Sequence, residues 1–213
     1  MGTVTNLTKQ QIENIQIDES VIFLDYGTET ERFLAPTRGG GEFVATATVR
    51  DIEFDGKNGK TAGTQVIEEQ AASYKVTTLC MSQENLALAI PNCKVSNDEG
   101  KTISNPKTGV IPETAYLKNI TAFAKLISGK FKKITIYNPM HENGLTAKAV
   151  QKAEGELALE FVAHYPYSDL DGDLWKVEEI AAMPDTKNPA PANAAAVANE
   201  DGNDDPAGGN AEE

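Results

Sequence analysis

Residues 42 to 81 constrain the fold most, because they read as two long strands joined by one polar turn. In the first strand, Glu42 to Phe54, Phe43, Ala45, Ala47 and Val49 fall on one face, and Thr46, Thr48 and Arg50 on the other. After Asp51 the apolar positions change parity, to Ile52 and Phe54. A period-two pattern that slips by one residue predicts a β-bulge near Arg50-Asp51. Asp55-Gly56-Lys57-Asn58-Gly59-Lys60 supplies the turn, with glycine and Asx residues suited to positive φ. The return strand puts Val66, Ala72, Tyr74, Val76, Thr78 and Cys80 on one face and Glu69, Ser73, Lys75 and Thr77 on the other. Arms of about a dozen residues reach roughly 40 Å, against about five to six residues in an ordinary strand. A hairpin of that length exposes long edges unless something outside it pairs with them.

The remaining segments supply the layers of a β domain. Ile17 to Leu24 reads as a strand with Ile17, Val21 and Phe23 on one side. The run Gly39-Gly40-Gly41 lacks the Lys-Ser/Thr of a phosphate-binding loop and precedes a strand, so it reads as a hinge. Ser82 is placed to cap a short helix that ends at Pro91, with Leu86, Ala89 and Ile90 as its docking stripe. Residues 94 to 113 read as a polar loop with room for a short hairpin. Strands are expected over Tyr116 to Ile127 and Phe131 to Tyr137, joined by Ser128-Gly129-Lys130 and ended by Asn138-Pro139. A further pair is expected from Leu145 to Lys152 and Gly155 to His164, the latter with Leu157, Leu159, Phe161 and Ala163 inward. Leu174 to Val177 closes the domain. The expected division is an N-terminal arm, 1–16, a β domain, 17–183, and an acidic low-complexity tail, 184–213. The tail lacks large apolar residues and is expected to be disordered.

Charge and motif content narrow the function classes. The chain carries a net charge of −13, of which the tail supplies −6 and the body −7. Wrapping nucleic acid requires clustered Lys and Arg, and this balance opposes it, though a surface that nucleic acid slides past is compatible with it. No apolar run is long enough for a transmembrane helix, and the N-terminus lacks the features of a signal peptide. The chain is therefore expected to stay in a cytoplasm until assembly, without binding membranes. Cys80 and Cys93 are expected to be reduced, partly buried thiols. Asp169-Leu170-Asp171-Gly172-Asp173 spaces three carboxylates like a calcium loop, but its glycine is one place early and a plain turn is expected. His141 and His164 have no metal-ligand neighbours at usual spacing, and no nucleophile elbow or paired-carboxylate motif occurs. No enzyme and no cofactor are expected.

The order of these elements resembles the major tail protein, or tail tube protein, of long-tailed bacteriophages. The resemblance rests on Thr48-Val49-Arg50-Asp51-Ile52-Glu53-Phe54-Asp55-Gly56, then Asn85-Leu86-Ala87-Leu88-Ala89-Ile90-Pro91. Lys133-Ile134-Thr135-Ile136-Tyr137-Asn138 and Leu159-Glu160-Phe161-Val162-Ala163-His164-Tyr165 extend it, over roughly residues 15 to 180 in all. The tail lies outside it. The resemblance implies a β-sandwich or split-barrel fold with one short flanking helix, related to the type VI secretion tube subunit. It further implies six-membered rings that stack into a hollow tube in a virion, assembled in the cytoplasm of a host bacterium. Such a tube encloses a tape-measure protein, meets tail-terminator and tail-tip proteins, and passes DNA without binding it specifically. By this analogy Asp55 to Lys60 (Asp55, Gly56, Lys57, Asn58, Gly59 and Lys60) are candidates for contacts between rings or subunits. Glu53, Glu68 and Glu69 are candidates for the lumen. The competing expectation is a monomeric β-sandwich binding module, a virion decoration or carbohydrate-binding domain, with an exposed aromatic cluster around Tyr165, Tyr167 and Trp175.

Overall fold

The computed structural model of the chain describes residues 7–17, 20–34, 36–96, 102–106, 108–146 and 154–184. One antiparallel sheet contains β1 (Val21–Leu24), β2 (Arg32–Phe33), β7 (Asn119–Lys125), β8 (Phe131–Tyr137) and β11 (Trp175–Ile180), in the order β11-β8-β7-β1-β2. A second contains β3 (Thr37–Asp51), β4 (Gln65–Thr78), β9 (Met140–His141) and β10 (Leu157–Val162), in the order β3-β4-β10-β9. The expected short hairpin forms from β5 (Lys94–Ser96) and β6 (Thr102–Ser104). The fold is mostly β and sandwich-like, with no closed barrel among the described residues.

The core forms where the inward faces of both sheets meet. Leu157, Leu159 and Phe161 of β10 are buried as their alternation predicts, together with Ala163, against Tyr74 and Val76 of β4. Ile22, Leu24, Ile120, Ala122 and Ile136 close the core from the other sheet. Each large side chain buried in this way contributes about 1.5–3 kcal/mol. The face of β1 is reversed from expectation: Ile22 and Leu24 point into the sandwich, while Phe23 joins an aromatic cluster with Tyr26, Phe33 and Phe123. Both faces of this strand are buried, so alternation alone does not orient it.

Local chemistry fixes the ends of the elements. The Ser82 hydroxyl accepts from the Asn85 amide at 3.2 Å and starts α2 (Gln83–Leu88). The buried Asn85 side chain donates to the Cys80 carbonyl and accepts from Arg32, tying the helix to β2. A capping box between Thr8 and Gln11 starts α1 (Lys9–Glu13), after which Ile15 and Ile17 exchange backbone hydrogen bonds with Ile127 and Lys125. The glycine run is not a hinge but part of β3. Gly39 and Gly40, at φ +77° and +71°, are two extra residues opposite Thr77 and Val76, a bulge that glycine accommodates without strain. The second irregularity lies between Thr48 and Val49, earlier than Arg50-Asp51, and its extra residue, Glu68, is on the return strand.

The C-terminal half departs from expectation in one pairing. β10 is not half of a hairpin with residues 145–152. It lies between β4 and β9, with Leu159 opposite Val76 and Phe161 opposite His141. Leu145 and Thr146 are outside any strand, and residues 147–152 lie outside the described residues. The closing strand β11 extends to Ile180 and pairs with β8 over six residues. Nearly all of the expected tail, from residue 185 on, also lies outside the described residues.

Candidate functional site, an uncovered hairpin arm

Strands β3 and β4 run out of the sandwich at Ala45 and Ala72. Ala72 is 2% exposed and closes the core, yet every residue from Ala45 to Arg50 and from Gln65 to Ala71 is exposed. Paired residues of an antiparallel ladder share a face, so the register sorts the arm into two surfaces. The surface that continues from the core carries Ala47, Gln70, Val49 and Ile67. The opposite surface carries Thr46, Ala71, Thr48, Glu69, Arg50 and Val66. Val49 and Ile67 are 54% and 56% exposed, an apolar strip that no described part of this chain covers. Among the described residues β3 is also an edge strand, paired with β4 alone along its length. An isolated two-stranded ribbon is marginal in water, and an uncovered edge is a template for pairing.

The tip beyond Asp51 is folded from within. The Ile52 amide donates to the Thr64 carbonyl at 2.7 Å, and the Lys57 amide to the Phe54 carbonyl at 3.2 Å. The Lys57 side chain is only 4% exposed, with its ammonium donating to the Ile52 carbonyl at 3.0 Å and lying 3.6 Å from Glu53 Oε1. Gly56 and Gly63, at φ +89° and +85°, make the bends. Of the six contact candidates, Asp55, Gly56, Asn58, Gly59 and Lys60 are exposed, and Lys57 is turned inward. Ile52 and Phe54 stay 44% and 51% exposed on this knob.

The three acidic candidates do not form one row. Glu68 is the bulge residue and its carboxylate pairs with Arg50 Nε, while Glu69 sits opposite Thr48 on the polar surface. Glu53 belongs to the tip. The polar surface continues across the sheet, where Lys75 and Glu160 lie 3.6 Å apart. Glu68 and Glu160 are thus each matched by a base, and the surface is mixed in charge. Exposed pairs of this kind stabilise by about 0–1 kcal/mol, so they adjust surface charge more than they hold the fold.

Away from the arm, the sequence candidates for chemistry serve as connectors. His141 is buried, accepting from the Glu160 amide at 2.8 Å through Nδ1 and donating to the Gly144 carbonyl at 3.0 Å through Nε2. His164 Nε2 lies 2.9 Å from Glu142 Oε1, and its ring packs edge-on against Tyr116. Cys80 and Cys93 are free, half-buried thiols, as expected. Asp169 folds its carboxylate over Gly172, and among the described residues no three His, Cys, Asp or Glu side chains are grouped to hold a metal. Trp175 packs edge-on against Phe43 and Tyr165 packs against the core, while Tyr167 stands 79% exposed.

The apolar residues of the arm are what sequence reasoning missed as a site. Val49, Ile52 and Phe54 read as ordinary strand residues, and nothing in the sequence singles out Ile67. The available signal was arm length, since a sandwich layer covers only about half of strands this long.

No family model matches the chain, and no curated protein matches it. Among solved structures, the chain is similar to one from the virion of a native gene transfer agent particle. That likeness is 10% in identity, with a TM-score of 0.39, over 70% of this chain and 92% of the other.

Proposed function

We propose that the chain is a structural subunit of a phage-type tail tube. Copies form six-membered rings that stack into a hollow tube, enclose a tape-measure protein and later pass DNA without specific binding. Tail-terminator and tail-tip proteins cap the tube, which assembles in a host bacterial cytoplasm and resides in the virion. The observation that carries this reading is the arm: an apolar strip beside a long free edge is a template for other chains to cover. Ring closure removes such edges. The polar surface of the same sheet supports a lumen role, because Thr46, Thr48, Ser73 and Thr77 sit among matched charges and offer phosphate no basic patch. In this reading the protein works by assembly rather than catalysis, and Glu53, Glu68 and Glu69 line the lumen or the ring interface.

Tyr167 favours a second reading, a monomeric binding module that uses an exposed aromatic. Negative-stain electron microscopy and size exclusion at rising concentration separate the two. Hollow stacked rings are expected. A single-chain species at every concentration, with a ligand protecting Tyr167, favours the module.

A further inference from the structure

Within the assembly just proposed, we propose that the arm tip of one copy plugs a cleft on the next, with Phe54 as the inserted side chain. The cleft lies on the body, between the end of α2 and β9. Its apolar walls are Leu88, Cys93, Val95, Leu117, Met140 and Phe161; Asn92, Thr114 and His141 add polar ones, and its volume is about 270 Å³. That is below the roughly 300–1,000 Å³ of small-molecule sites, and a single large side chain is the better occupant. Val95 at its mouth is 45% exposed, so the apolar lining reaches the surface.

The tip has the complementary properties. Phe54 is half exposed at the far end of the arm, past the last ladder pair, so inserting it breaks no strand pairing. The inward Lys57 ammonium and the Ile52–Thr64 bond hold the knob in shape before it meets a partner, which reduces the ordering cost of binding. Lys57 is engaged inside and pairs with Glu53, so Asp55 is the exposed acid of the knob with no partner among the described residues, and Lys60 is the nearby base. The exposed Lys94, Glu113 and Lys118 are chain neighbours of cleft residues. Asp55 on the knob thus has two bases, Lys94 and Lys118, available beside the cleft. Because tip and cleft are different surfaces of one chain, the contact is heterologous and propagates from copy to copy.

Cys93 in the wall provides the test. A Phe54→Cys, Cys80→Ser chain is assembled and oxidised with copper phenanthroline at mildly alkaline pH, since burial pushes the Cys93 thiol up. The expected product is a ladder running beyond dimers on a non-reducing gel, lost on reduction and lost when Cys93→Ser is added. A Phe54→Asp chain is expected to melt like the parent and to need at least about tenfold more protein for half-assembly. Assemblies in the microscope that yield no ladder, or only dimers joined through the two introduced tip thiols, overturn the docking and leave the tube reading standing. A parent chain that stays single at every concentration overturns both, whereas a Phe54→Cys chain that stays single while the parent assembles is the loss that docking through Phe54 predicts.

Discussion

Tyr74 is 1% exposed, and its ring lies directly over Gly41, where any Cβ would overlap the hydroxyl and ring carbons. Gly41 has an ordinary φ, so it is required here for space and not for backbone freedom. The Tyr74 hydroxyl is held above its usual pKa by burial, partly offset by the Ser20 side chain, so the phenol stays neutral where it is. Gly41→Ala is therefore expected to cost about 1–3 kcal/mol as an overpacking change. For a chain of this size each kcal/mol lowers the melting temperature by roughly 2–4 °C. Tyr74→Leu should remove the overlap, so the double variant should lose less than the sum of the single losses. Strict additivity in thermal melts would show that the close approach is not the cause. Nothing in the sequence marked this pair, because Gly41 and Tyr74 are brought together by the two-residue bulge at Gly39-Gly40.

At the scale of elements, β11 is the strand most dependent on charge. It is an edge strand held to β8 by its ladder and by surface pairs: Lys130–Glu179 at 2.6 Å, the half-buried Lys133–Glu178 at 3.2 Å and, within the strand, Lys176–Glu178 at 2.7 Å. Hydrogen bonds from Lys176 and Lys133 hold Glu178 below the usual glutamate range, and Lys130 does the same for Glu179. A depressed carboxylate stabilises above its unfolded pKa, and that stabilisation is lost as pH falls through the folded value. Loosening of β11 is thus expected only below the usual glutamate range. Trp175, the single tryptophan of the chain, starts this strand and reports on it. Its emission should shift to the red on acidification, and Glu178→Gln with Glu179→Gln should flatten that acid limb. An unchanged acid limb in the double variant would assign it to other groups. The β8 bounds and the inward face of β10 were legible because turn signals or strict alternation enclosed them. β1 was not, because burial of both Phe23 and Leu24 erases the contrast that alternation needs.

At the scale of the molecule, the body and the arm are separable in energy. No side chain from Ala45 to Ala71 belongs to the core, whereas Ala72, Tyr74 and Val76 on the same strand do. The sequence could not reveal this division, since Val49, Ile67 and Phe54 carry the same pattern as buried strand residues; the sheet order and their exposure show that no described element lies above them. Ala45 and Ala72 are directly paired, so replacing Thr46 to Ala71 with Asn-Gly joins them by a two-residue hairpin turn. The shortened chain should keep a β-type far-UV spectrum, weaker by the strand residues removed from β3 and β4, and melt within about 1 kcal/mol of the parent, because surface changes outside the core rarely exceed about ±0.5 kcal/mol each. It should also run as a single chain at concentrations where the parent associates, having lost the strip and the arm's six residues of the β3 edge. If it unfolds, the arm helps hold the body and the separation is wrong. If it folds and still associates, the assembling surface lies on the body, and weight moves from the arm to the edges of β11 and β9.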